Sequence, residues 1–104
     1  MVDTAHVKLV TIIASSALRD SLELELQRLG VTGYTVSAVE GRGKHGIHRH
    51  GVFQIANLRI ESIVSSQVAE AILAYIARHA ATHEWFEAIG FSHDIEAVPS
   101  GHFV

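Results

Sequence analysis

Positions 41–54 hold four glycines, three histidines, three cations and no acid. The stretch opens Gly41-Arg42-Gly43-Lys44. Glycines let a backbone approach a ligand closely and turn successive N–H groups toward an anion. A Lys or Arg beside them can meet a phosphate. Gly-x-Gly-Lys alone is a short pattern. It leaves two readings open, an anion site built from Gly41, Arg42, Gly43 and Lys44 or a solvated hairpin loop. His45, His48 and His50 offer a second chemistry, because closely spaced imidazoles suit copper, zinc or nickel. No cysteine exists to help them, and no carboxylate lies between positions 41 and 60. The alternative for these histidines is a polar loop whose rings titrate near neutral pH.

Charge is distributed unevenly. Formal net charge is −3, yet residues 41–60 carry +4 from Arg42, Lys44, Arg49 and Arg59. The remainder sets four Lys and Arg against all eleven acids and carries −7. A local cationic patch on an acidic body points to an anion or acidic partner at one place, not to a broad nucleic-acid face.

Other constellations are weaker. His79 and His83 stand four apart and share a helix face, either as a two-histidine site or as a helix end whose cations suit the dipole. Trp85 and Phe86 are adjacent; one can stack on a base, or the pair closes the end of a helix. Arg59 and Glu61 share a strand face, suited to a phosphate and a ribose hydroxyl or to a surface ion pair of small energy. No nucleophile elbow and no HExxH occur. Ala14-Ser15-Ser16 offers no arginine for an acylphosphatase cradle. An RNA-binding sheet needs aromatics on its central strands, and residues 7–14 and 58–64 contain none. These patterns favour binding over catalysis.

The elements that must carry these residues follow from periodicity. The chain has 104 residues, 48 % of them hydrophobic, enough for one packed domain spanning 1–104. Residues 7–14 predict a strand apolar on both faces, hence buried on both sides. Ser15 and Ser16 signal a helix start. Leu18, Leu22, Leu26 and Leu29 form its stripe, and Gly30 ends it. Residues 33–40 predict a second strand, with Tyr34, Val36 and Ala38 on one face. Residues 41–54 form a long loop. Residues 58–64 predict a third strand, with Leu58, Ile60 and Val64 facing one way and Arg59, Glu61 and Ile63 the other. Ser66 caps a helix over 67–83 with a stripe of Val68, Ile72, Ile76 and Ala80. Residues 89–98 predict a last strand weakened by Gly90. The tail 99–104 is expected to be mobile. The order β-α-β-β-α-β predicts an α+β, ferredoxin-like domain with both helices on one sheet face. The other face, apolar in its first strand, is left for assembly. No basic-then-apolar leader and no membrane-length apolar run occur, so a cytoplasmic protein is expected.

A loop of about fourteen residues between antiparallel strands exceeds the usual two to five, and long loops in compact domains tend to be functional. Three segments around it carry a resemblance: 29–36 (Leu-Gly-Val-Thr-Gly-Tyr-Thr-Val), 40–44 (Glu-Gly-Arg-Gly-Lys) and 58–64 (Leu-Arg-Ile-Glu-Ser-Ile-Val). Their order and spacing resemble the PII signal-transduction family over residues 7–98. The resemblance implies a homotrimer with an adenine nucleotide in each cleft between subunits. It places Gly33, Thr35, Glu61, Ser62 and Ile63 beside the adenosine. Gly41, Arg42, Gly43 and Lys44 would lie beside the phosphates, with His45 where the loop, the family's T-loop, leaves the site. His48, Arg49 and Arg59 would serve an anion or a protein partner.

This sequence departs from ordinary members in ways that matter chemically. Their second glycine-rich phosphate loop is replaced by Thr82-His83-Glu84-Trp85-Phe86-Glu87-Ala88, with two acids and no lysine. The paired C-terminal arginines are replaced near Pro99-Ser100-Gly101-His102. The T-loop has no tyrosine to modify. ADP or AMP is therefore favoured over ATP. The pattern is similar to the divergent branch linked to carboxysomes and bicarbonate transport. That likeness implies bicarbonate as a possible second ligand and a membrane transporter as a possible T-loop partner. The competing family is the CutA-like metal-associated trimers, which share the fold and would use His45, His48 and His50.

Overall fold

A computed structural model describes residues 1–41 and 57–103, and the backbone of 49–50 and 53–54. Its elements run β1 (Ala5–Ser15), α1 (Arg19–Arg28), β2 (Thr35–Val39), β3 (Arg49–His50), β4 (Phe53–Gln54), β5 (Asn57–Val64), α2 (Ser66–Thr82) and β6 (Ala88–Ala97). Short 3-10 turns occupy Ser16–Leu18 and Ser100–Phe103. The four long strands form one sheet in the order β2-β5-β1-β6. All three pairings are antiparallel. The α+β ferredoxin-like arrangement is therefore present.

β1 is the inner strand shared by β5 and β6. Its alternate residues Val10, Ile12 and Ala14 meet the helices. Leu22 and Leu26 of α1, Ala69, Ile72 and Ile76 of α2, and Leu58 and Ile60 of β5 complete that core. Both helices thus cover the same face, as their single apolar stripes require. Register rows on the other face read Thr35-Glu61-Thr11-Phe91 and Ser37-Arg59-Ile13-Ile89. Ile89 and Phe91 are exposed there, and so is Ile63.

Several expectations shift in detail. α2 is capped by Ser65, one residue earlier than expected, whose Oγ accepts the Val68 N–H at 3.2 Å. Ala80 is exposed, because steps of four residues overrun the 3.6-residue turn and rotate off the sheet. His79 turns inward instead and is half-buried. Within the long connection, β3 and β4 pair as a small ladder, Arg49 opposite Gln54 and His50 opposite Phe53. The tail carries a short 3-10 turn over Ser100–Phe103. No helix among the described residues is long and apolar enough to cross a membrane.

Gly90 does not end the last strand early, because it has a packing role. A Cβ there would lie 2.7 Å from Ile76 Cδ1 and 3.3 Å from Leu73 Cδ2. The glycine lets α2 settle onto β6. Gly90→Val should therefore destabilise the fold by about 1–3 kcal/mol through overpacking. It should lower the urea midpoint with little change in slope. An unchanged midpoint would show that α2 has room to spare.

Candidate functional site

α1 stops at Gly30, whose φ is 94°. The Val31 N–H reaches Leu26 O at 2.9 Å and the Gly30 N–H reaches Gln27 O at 3.1 Å. This is the paired hydrogen-bond pattern of a glycine helix stop, and Val31 buries itself behind Leu26. The chain then runs through Thr32 and Gly33 to Tyr34, which packs against the core, and enters β2. Ser62 ties this reversal to β5, its buried hydroxyl donating to Gly33 O at 2.6 Å. Between these pieces lies a cleft of about 620 Å³. One side is residues 30–35, another residues 61–65 and Val68, and a third Val7 and Leu9 of β1.

Gly33, Thr35, Glu61, Ser62 and Ile63 all line this cleft. Gly33 and Thr35 come from the lead-in and first residue of β2, and Glu61, Ser62 and Ile63 from β5, with Thr35 directly opposite Glu61. Ser62 lies on the core face of β5, so it supports the Gly33 carbonyl from within. Glu61 and Ile63 stand on the opposite face. Among the described residues, the Glu61 carboxylate is the one full charge in the lining. No Lys or Arg among the described residues joins it there. Such a site can hold the neutral, hydrogen-bonding part of a ligand, with a carboxylate to accept from hydroxyls, and needs cations from elsewhere for an anionic end.

Those cations lie along β2 or beyond it. Arg59, opposite Ser37, is exposed and approaches Glu61 at 4.0 Å. Gly41 is exposed and follows the far end of β2, outside the cleft lining. Six residue steps along the chain lead from Thr35 to it, about 20 Å at strand rise. Arg42, Gly43, Lys44, His45 and His48 fall outside the described residues. Arg49 and His50 are placed as backbone in β3. The cleft and the loop root are thus linked by the free edge of β2, an outermost strand.

The segment 82–88 packs back onto the core. Phe86 is buried in the core, and Ser15 N–H donates to Glu87 O at 3.0 Å. Trp85 is exposed and stacks on His83 at 4.8 Å. The His79 ring lies against Tyr75 at 4.2 Å, with Nδ1 3.0 Å from Tyr75 O. The aromatics close the end of α2, and both histidines take part in that stack. Among the described residues, no group of three His, Asp or Glu is placed to hold a metal.

Sequence reasoning missed the rest of the cleft. Val7 reads as part of a buried strand, as does Leu9, and Val68 as part of the α2 stripe, while Ser65 has no reading of its own. His102 and Phe103 of the C-terminal turn also line it. A large aromatic in a short tail was the available signal, since it gains most from burial.

The family model "Nitrogen regulatory protein P-II" matches residues 7–97. No curated protein sequence matches the chain. Among solved structures, a PII-like signalling protein from Thermus thermophilus is 33 % identical. That match covers 98 % of this chain and 99 % of the other, with a TM-score of 0.77. CPII from Thiomonas intermedia, a nitrogen regulatory PII-like protein bound to ADP, AMP and bicarbonate, is 25 % identical over 92 % of this chain and 99 % of its own, with a TM-score of 0.72. The GlnK–ATP complex from B. subtilis is 25 % identical over 86 % of this chain and 82 % of its own, with a TM-score of 0.64.

The Ser62 tie yields a measurable expectation. Ser62→Ala removes the hydrogen bond that ties Gly33 to β5, and should cost about 1 kcal/mol of stability. Amide exchange across residues 31–35 should quicken more than exchange in β1. Equal protection in both proteins would mean that the Gly33 carbonyl is held by other contacts.

Proposed function

Because this chain belongs to the nitrogen regulatory protein P-II family, we propose that it senses an adenine nucleotide, ADP or AMP in preference to ATP, in clefts between the subunits of a homotrimer. It acts by binding and signalling, with no catalytic step. The observation that carries the reading is the convergence of Gly33, Thr35, Glu61, Ser62 and Ile63 on one cleft of about 620 Å³. That volume lies within the roughly 300–1,000 Å³ usual for small-ligand sites.

The division of charge supports the orientation. The nucleoside half occupies the cleft, with Glu61 accepting from ribose hydroxyls. The phosphates extend along the β2 edge past Arg59 toward Gly41, Arg42, Gly43 and Lys44. A third phosphate has less to meet here, because residues 82–88 carry Glu84 and Glu87 and bury Phe86 where ordinary members place a phosphate loop. Nucleotide binding orders the T-loop, residues 41–54. That loop then presents His45, His48 and Arg49 to a protein partner, an order–disorder switch with an electrostatic trigger. The bicarbonate bound to CPII supports a role in inorganic-carbon metabolism, with a membrane transporter as a candidate partner. The fold's exposed Ile63, Ile89 and Phe91 supply an apolar face for trimer contacts.

Calorimetric titration of metal-free protein with AMP, ADP and ATP, each with and without bicarbonate, tests this directly. Saturable AMP or ADP binding, weaker ATP binding and survival of both in EDTA are expected. Lys44→Ala should weaken ADP by about 1–3 kcal/mol, the worth of a charge-assisted hydrogen bond. Absence of heat with every nucleotide would remove the sensor reading and turn attention to copper, zinc and nickel at the loop histidines.

A further inference from the structure

We propose that the C-terminal turn supplies the cleft with a stacking wall, and that the Phe103 ring is the surface on which the adenine base lies; this rests on the nucleotide reading above. The topology makes the turn's position informative. β6 lies on the opposite side of β1 from β5, and the cleft is built on the β5 side. After Ala97, which pairs with Ala5, the chain crosses β1 to bring Phe103 into the cleft lining.

The turn is arranged around that one side chain. The His102 N–H donates to Pro99 O at 3.1 Å, closing the turn. Gly101 and His102 are exposed while Phe103 is half-buried. The His102 ring stands 4.9 Å from Phe103 with planes 80° apart, a T-shaped contact that holds the phenyl orientation. The other carbocyclic aromatic of the lining, Tyr34, is packed against the hydrophobic core. Phe103 is the aromatic that comes from outside the core.

The volume decides between a wall and a plug. With Phe103 in place the cleft still measures about 620 Å³, so the ring borders the space and leaves it open. An aromatic wall contributes affinity through the π-face of a base and is indifferent to the hydrogen-bonding edge. The turn therefore selects ligands that carry a base over the bare sugar phosphate, and Glu61 and the loop cations handle the remainder.

The test titrates the full-length protein and three variants, Phe103→Ala, Phe103→Leu and Phe103→Trp, with AMP and with ribose 5-phosphate. Circular dichroism melts confirm that each is folded. Phe103→Ala and Phe103→Leu should each weaken AMP roughly ten-fold or more, the loss expected for one base–aromatic stack. Phe103→Trp should hold AMP within about two-fold, and ribose 5-phosphate should respond to none of them. AMP affinity retained in Phe103→Leu would reduce the ring to packing and overturn the proposal. A gain in Phe103→Ala would make the turn an obstruction and overturn it equally. If ribose 5-phosphate binds too weakly to measure throughout, the Leu-to-Trp ratio for AMP decides. Failure of the unaltered protein to bind AMP, ADP or ATP is a different result. It defeats the nucleotide reading itself, and the stacking wall with it.

Discussion

Thr11 and Ile12 are neighbours on β1 whose side chains point to opposite faces of the sheet, yet they are only 2 % and 1 % exposed. That requirement for burial on both faces constrains the rest of the molecule. A strand so placed must be internal, so β5 and β6 flank it. Its even-numbered residues demand cover from helices, and α1 and α2 each bring a single apolar stripe to the same side. The odd-numbered side is covered by cross-strand neighbours such as Phe91 and Glu61, opposite Thr11. Gly90 is the accommodation that lets α2 lie close enough to serve the even side.

The cleft arises where this packing has to end. α1 must stop so that the chain can return as β2, and Gly30 stops it with a conformation that other residues adopt at a cost. α2 must start immediately after β5, and the Ser65 cap starts it. The two transitions face each other, bridged by Ser62 and Gly33. The lining is therefore held by caps, hydrogen bonds and strand register. By contrast, the cationic residues proposed for phosphate sit in the long glycine-rich connection.

Legibility in the sequence followed the strength of local signals. The leucine stripe of α1 and the β-branched run of β1 each have one stable solution, so they read directly. That Gly33, Thr35, Glu61, Ser62 and Ile63 belong together read through resemblance, because three spaced segments together specify more than any one, and the structure gathers them on one cleft. What failed was finer. Ser65 and Ser66 are equivalent caps by type, and only the end of β5 at Val64 decides between them. Ala80 follows its stripe by count, yet the helix turn carries it away from the sheet. The β3–β4 ladder lay inside a stretch whose glycines and charges masked two short strand segments.

The chain's own residues determine which segments become strands and helices, because period, caps and burial are local properties. They also separate a cationic loop from an acidic body, since charge order is written directly in the chain. Residues far apart in the chain meet only in the tertiary structure. Thr35 faces Glu61 because β2 pairs with β5 in one register, and a slip of one residue would send Glu61 into the core. Phe103 borders the cleft because the tail crosses β1 after β6. No periodicity records that crossing; it follows from strand order, which is settled by burying every apolar face at once.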